Sequence, residues 1–342
     1  MDDLSLTLGI AIFIVAAGVI GYFGVQMTKV ARQLASDTGM GEALMGAVFI
    51  GASTSLSGIT ASVTAASQGH AELAVSNALG GIAAQTFFLV VADMVYRKAN
   101  LEHAAASAEN LMMAAFLIVL LSIPLAAFAM PDFAVYAIHP ASFAIVGTYI
   151  FGIYVLSRTH KMPMWFPKRT RDTRVESYQR PNKRKHSFLG VLWIKFLLYS
   201  AIVAVSGWAL GHAGIAIAGT TGLSESIVGG VLVAVSTSLP ELVIAVTAVR
   251  MRSLTLAVGD IIGGNTFDTL FISVSDISYR QGSIYSDITR NELFWLAMTI
   301  LMTGVLLMGL IHRERHGIAN IGLESFIVMV CYIGGLALLA YQ

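Results

Sequence analysis

Ten apolar runs, each about 20 residues or longer, leave this chain little choice of architecture. They fall at about 5–28, 43–66, 71–96, 108–130, 134–156, 188–211, 223–249, 254–278, 290–311 and 320–341. A helix of ~20 apolar residues crosses the hydrocarbon of a bilayer and satisfies its own backbone there. The expected fold class is an all-α integral membrane protein with ten transmembrane helices. Composition agrees: 56% hydrophobic residues, 12% charged residues and a mean hydropathy of +0.75 exclude an ordinary soluble domain. The single cysteine, Cys331, lies in an apolar run, so neither a disulfide framework nor a thiolate metal site is available. The sequence starts Met1-Asp2-Asp3, acidic rather than basic, and enters a long span directly, so no cleavable signal peptide is expected.

Charge placement orients the spans. The polar stretch 157–187, between the fifth and sixth runs, holds ten of the 21 Lys and Arg residues, Lys183-Arg184-Lys185 among them. Under the positive-inside rule that stretch is cytoplasmic. Lys29, Arg32, Arg97, Lys98, Arg250, Arg252, Arg313 and Arg315 then fall on the same side. Arg280 and Arg290 fall outside, and both termini are expected to be non-cytoplasmic.

Residues 46–97 reappear at 229–280 without a gap, and more than a third of the aligned positions are identical. Ser53-Thr54-Ser55-Leu56 returns as Ser236-Thr237-Ser238-Leu239, Gly80-Gly81 as Gly263-Gly264, and Asp93 as Asp276. The copies occupy spans two and three, then seven and eight. Five spans separate equivalent points, and five is odd, so the copies must cross the membrane in opposite directions. The expectation is two inverted five-helix repeats, about 1–156 and 188–342, joined by the basic linker 157–187. Inverted repeats of this kind mark secondary transporters, with the site near the midplane where the copies meet.

The mismatches between copies carry the chemistry. Gly58, Asn77 and Gln85 of the first copy stand opposite Glu241, Asp260 and Asp268 of the second. In span seven, Pro240 removes a backbone donor and frees carbonyls one turn back. Those carbonyls, the hydroxyls of Thr237 and Ser238 and the carboxylate of Glu241 form a hard oxygen set suited to Na+ or Ca2+. Asp260, Gly264 and Asp268 share one helix face, with Asn265 beside them. Acids at membrane depth are costly and point to function. Asp93 and Asp276 instead stand just before Tyr-Arg at span ends, where an intrahelical pair with Arg97 or Arg280 is the ordinary expectation. His70 reads as a solvated turn residue, and His312 and His316 lack a third zinc ligand. Without a Gly-rich phosphate loop or a nucleophile elbow, nothing suggests an ATP-driven pump or a membrane enzyme.

Ser236-Thr237-Ser238-Leu239-Pro240-Glu241-Leu242, followed by Gly259-Asp260-Ile261-Ile262-Gly263-Gly264-Asn265, resembles the alpha-repeat of the cation/calcium exchanger superfamily. The usual pattern there is Gly-Thr-Ser-Leu-Pro-Glu-Leu, then Gly-Asn-x-x-Gly-Ser-Asn. The resemblance implies alternating access driven by a Na+ or H+ gradient, extrusion of Ca2+ or a related cation, and no resident cofactor. It implies Glu241, Thr237, Ser238, Asp260 and Asn265 as ion ligands, with Thr54, Ser55 and Asn77 as first-copy equivalents and Asp268 as a further acid. Its expected setting is a prokaryotic inner membrane, with inorganic cations and the bilayer as partners and no nucleic acid.

Several positions depart from the pattern. Gly58 replaces the first acidic ligand, Ser57 the proline, and Ile82 the counterpart of Asn265. Asp260 replaces an Asn, so a carboxylate pair rebuilt as Glu241 with Asp260, joined by Asp268, is the expected acid set. Two alternatives accompany it: a monovalent Na+/H+-type exchanger, and a transport-inactive scaffold or sensor.

Overall fold

The computed structural model describes residues 5–38, 51–96, 99–131, 133–161, 165–168, 189–314 and 321–341. Every apolar run is mainly helical where described, the fifth opening with a turn closed by a Val135–Ile138 bridge before its helix starts at Pro140. The elements are α1 (Leu6–Thr38), α2 (Gly51–Thr54), α3 (Leu56–Ser67), α4 (Ala71–Val95), α5 (Leu101–Ala105), α6 (Ala108–Phe128) and α7 (Pro140–Lys161). After the basic linker come α8 (Leu189–Thr221), α9 (Glu225–Ile227), a π-helical segment Val228–Val233, α10 (Ala234–Thr237) and α11 (Leu239–Arg250). The chain continues through α12 (Leu254–Asp268), α13 (Leu270–Ser278), α14 (Arg290–His312) and α15 (Leu323–Ala340).

Among the described residues, seven helices are long and apolar enough to cross a membrane, or eight if the bent pair Glu225–Thr237 and Leu239–Arg250 counts as one span. The eighth run falls short because a break at Thr269 divides it into α12 and α13. The second is described only from Gly51 and is broken at Ser55.

Helix boundaries recur in one register. α1 and α8 are both 33 residues long, α2 and α10 both four, and α3 and α11 both 12. Each second member begins 183 positions after the first, the same separation that relates Gln85 to Asp268. α4 and the α12–α13 pair, and then α7 and α15, also start at this offset. The common register of helix starts therefore extends well past 46–97, although sequence identity is legible only there.

α4 is the centre of the molecule, buried along most of its length, whereas the first, fifth and sixth runs bury only a minority of their surface. Small residues permit close approach to α4. A Cβ at Gly80 would collide with the backbone carbonyl of Gly230, and one at Gly229 with that of Leu73. Side chains such as Ile14, Val15, Phe151 and Ile194 face outward, as a lipid-exposed belt requires. Polar side chains lie inside.

Asp93 and Asp276 differ from the expectation in the same way. Asp93 accepts hydrogen bonds from the backbone N–H of Leu101 at 2.7 Å and of Gly322 at 3.1 Å. Asp276 accepts from Ile284 N–H at 2.9 Å and His139 N–H at 2.8 Å. Leu101 and Ile284, and likewise Gly322 and His139, are counterparts at the same offset. Each carboxylate ties a loop and the start of a distant helix to the end of its own span, satisfying N–H groups that would otherwise be orphaned. Arg97 lies outside the described residues, and Arg280 is exposed. His70 is also corrected: its Nδ1 lies 2.6 Å from Glu225 Oε1, pinning the α3–α4 turn to α9. His312, the last residue of α14, places Nδ1 3.2 Å from Glu324 Oε1, and His316 lies outside the described residues.

Candidate functional site

Two broken helices meet α4 at the heart of the fold. α2 gives way to α3 at Ser55, and α10 gives way to α11 at Ser238, with Pro240 in the first turn of α11 and a 47° bend between the halves. Proline at that position cannot continue the hydrogen-bond ladder from α10. The Ser57 hydroxyl takes up part of the deficit, donating to the Thr237 carbonyl at 3.2 Å.

Between the breaks lies a polar network. Ser55 Oγ donates to Asp268 Oδ1 at 2.5 Å, and Gln85 Nε2 donates to Asp268 Oδ2 at 2.6 Å. Gln85 Nε2 also reaches Ser238 Oγ at 3.3 Å. Ser55 and Ser238 are repeat counterparts, and so are Gln85 and Asp268. Exchanging the two copies maps the chain Ser55–Asp268–Gln85–Ser238 onto itself. Gln85 was legible in the sequence only as the counterpart of Asp268 across the repeat.

Glu241, in the first turn of α11, is 6% exposed, and Asp268 is 2% exposed. The Thr54 hydroxyl and the Asp268 carboxyl both lie close enough to the Glu241 carboxyl to interact with it electrostatically. Oxygen atoms are left over: Glu241 Oε2, Gln85 Oε1, Asn265 Oδ1 and Asn77 Oδ1 are buried without a hydrogen-bond partner. Each such acceptor costs about 1–3 kcal/mol unless something compensates it. Uncompensated oxygens are what a hard cation such as Na+ or Ca2+ binds. Among the described residues, no three His, Cys, Asp or Glu side chains form a resident metal centre. The donor set, two carboxyls and neutral oxygens, is chemically suited to a hard cation.

The other expected ligands are placed unevenly. Asn265 Nδ2 donates to Thr86 Oγ1 at 3.0 Å, turning its free oxygen away from that contact. Thr54 and Thr237 each donate their hydroxyl hydrogen to a carbonyl of their own half-helix, Gly51 and Ala234, at 3.1 Å. Asn77 is tied to α3, donating to the Gly58 carbonyl at 3.1 Å and Ser62 Oγ at 2.8 Å. Asp260 departs most from its expected role: it forms an ion pair with Arg32 of α1 and is less buried than Glu241 or Asp268. The closely interacting acids are thus Glu241 and Asp268. At Gly58, the space a longer side chain would need is filled by the Phe271 ring.

Residues 8–159 and 191–341 match the family model described as sodium/calcium exchanger protein. A putative antiporter, CaxA of Alkalimonas amylolytica, is 28% identical over 144 residues, covering 42% of this chain and 43% of that protein. The sodium/calcium exchanger MaX1 of Methanosarcina acetivorans is 29% identical over 121 residues, covering 35% of this chain and 32% of that protein. The matched stretches thus span less than half of either relative's own length. Among solved structures, the H+/Ca2+ exchanger CAX is similar with a TM-score of 0.73 at 11% identity, over 97% of this chain and 85% of that one. At that identity the likeness is one of fold.

Proposed function

The chain belongs to the sodium/calcium exchanger family, and on that premise we propose that it is a secondary antiporter exchanging Ca2+ or a related cation against Na+ or H+. One observation carries the proposal. The network Ser55–Asp268–Gln85–Ser238, beside Glu241, lies where two broken helices meet and leaves buried oxygens unpaired. Half-helix ends and free oxygens between repeats are the usual setting of an ion site in a secondary transporter. The names of the relatives, a putative antiporter and a sodium/calcium exchanger, support the same class.

In this reading the chain crosses the membrane ten times as two inverted halves, about 1–156 and 188–342, with 157–187 and the Arg250–Arg252 turn cytoplasmic and both termini outside. Glu241 and Asp268 hold the cation. Thr54, Ser55, Thr237, Ser238 and Asn265 supply further oxygens, and Gln85 orients Asp268. Rocking one half against the other alternately exposes the site. Two carboxylates balance one divalent cation, two monovalent cations or two protons, so the site supports exchange among these ions. Gly58, packed against the Phe271 ring, supplies no carboxylate opposite Glu241, and this supports monovalent exchange as the second reading.

A ligand that binds only the folded protein raises its unfolding free energy, by about 2.7 kcal/mol at a hundred times its Kd. Purified protein should therefore unfold at higher temperature with Ca2+, with Na+ or with both. Glu241→Gln and Asp268→Asn should each abolish most of that protection. Equal protection of the wild type and both variants would contradict the assignment of the site.

A further inference from the structure

Two carboxylates fasten one half of the chain to the other, and they do so with matched parts. Asp93, in the first half, holds the Gly322 N–H at the start of α15, in the second. Asp276, in the second half, holds the His139 N–H at the start of α7, in the first. Each latch also includes a serine from the first turn of the helix it holds, Ser325 in α15 and Ser142 in α7, and these serines are repeat counterparts.

One position breaks the match. Glu102 follows Leu101 in one latch, whereas Tyr285 follows Ile284 in the other. At the Asp276 latch, Ser142 Oγ donates to Asp276 Oδ2 at 2.6 Å, and Tyr285 Oη lies 3.5 Å from that hydroxyl. At the Asp93 latch the serine is turned, and Ser325 Oγ donates to Glu102 Oε1 at 2.6 Å. Glu102 is 3% exposed, and its Oε2 has no hydrogen-bond partner. A Cβ on Gly322 would stand 3.0 Å from that oxygen, so the acid fills the joint between the halves. A phenol keeps its proton through the physiological range, and a carboxyl need not.

Around Glu102 stand Asp93 from α4, Glu324 from α15, His103 from α5 itself, and His312, Arg313 and Glu314 at the end of α14. Asp93 and Glu324 both act on its carboxyl. His312 Nδ1 lies 3.2 Å from Glu324 Oε1, and Arg313 donates to the His103 carbonyl. α12 also packs against α5, and its acids, Asp260 and Asp268, are engaged with Arg32 and Gln85.

We propose that Glu102 is a proton switch on the Asp93 latch: protonated, it leaves the halves fastened at that end, and ionised, it loosens them. The two halves and the side from which protons act, cytoplasmic in the orientation above, rest on the proposed function. A proton on Glu102 removes a buried negative charge beside Asp93. It also frees the Ser325 hydroxyl, already close enough to interact with Asp93, to serve that acid as Ser142 serves Asp276. Loss of the proton leaves two buried carboxylates competing for one hydroxyl. Burial first, then the Asp93 charge, raise the Glu102 carboxyl from 4.5 to about 7. The closed latch thus holds this proton more tightly than the open one. Closure is most favoured below about pH 4.5 and weakens up to ~tenfold per pH unit as pH rises to about 7.

Amide hydrogen exchange of the purified full-length protein, corrected for the intrinsic effect of pH, reads both latches together. Protection of the Leu101 and Gly322 N–H groups should fall at least ~tenfold between about pH 5 and about pH 8. Ile284 and His139 N–H, at the latch with Tyr285, should keep theirs. Glu102→Gln should hold all four constant across the same range. Loss of protection at all four would mark the variant as unfolded, and the contrast between latches in the wild type would then decide alone. An equal fall in wild type and folded variant, no fall in the wild type, or the same fall at Ile284 and His139 would overturn the inference. Exchange needs no transported ion, so a protein that moved no cation would overturn the antiporter reading and leave this readout standing.

Discussion

Residue scale shows how far one mismatch between copies can reach. Asp268 stood out as an intramembrane acid, and the structure joins it to its own repeat counterpart, Gln85, at 2.6 Å. Nothing local in the sequence marks that glutamine; only the register between copies does. Gly58 was legible as a missing acid, but the reason the gap is closed lies in three dimensions. A Cβ there would strike the Phe271 ring. Gly58→Ala should therefore destabilise the protein by about 1–3 kcal/mol through overpacking, read as a lower melting temperature. A variant as stable as the wild type would mean that the ring moves aside freely. The ion pair of Asp260 was not legible in the sequence. Its partner Arg32 is 228 positions away, and no pattern along the chain connects them.

Among the elements, the break at Ser238 was announced by Pro240, while the break at Ser55 carries no proline and was visible only as the duplicate of the other. The split at Thr269 has no counterpart in α4, which runs unbroken through Thr86. The short helix α5 shows how connecting elements are held. Glu102 is buried, accepts a hydrogen bond from Ser325 Oγ at 2.6 Å, and leaves Oε2 without a partner. Burial first, and the Asp93 charge second, push its carboxyl up from 4.5 to about 7. Because the folded state holds this proton more tightly than the unfolded chain, the contribution of Glu102 is most favourable below about pH 4.5 and is lost as pH rises to about 7. Glu102→Gln keeps an acceptor for Ser325 and removes the titration. Thermal unfolding across that window should fall less steeply with pH in the variant, and an identical slope would assign the dependence to other groups.

For the whole molecule, the apolar runs made the helical membrane fold legible at once, because about 20 apolar residues permit little else. The repeat was legible only over 46–97, where residues facing the polar core resist substitution by packing equivalents. Elsewhere one apolar side chain replaces another against lipid, so the same register survives in helix ends such as Leu6 and Leu189 but not in identity. Inversion makes a direct prediction. Gln68 and Met251 are exposed repeat counterparts in equivalent turns. With Cys331 replaced by Ser, Gln68→Cys should react with an impermeant thiol reagent added to intact cells, and Met251→Cys only after permeabilisation. Labelling of both from one side would rule out inverted halves. The central claim is that Glu241 and Asp268 hold a cation that is exchanged across the membrane. It is tested most directly by Ca2+ efflux from proteoliposomes loaded with purified protein and driven by an inward Na+ or H+ gradient. Gradient-dependent efflux that disappears in Glu241→Gln and Asp268→Asn is the result expected. Efflux that survives in both variants, or a wild-type protein that moves no cation under either gradient, would contradict it.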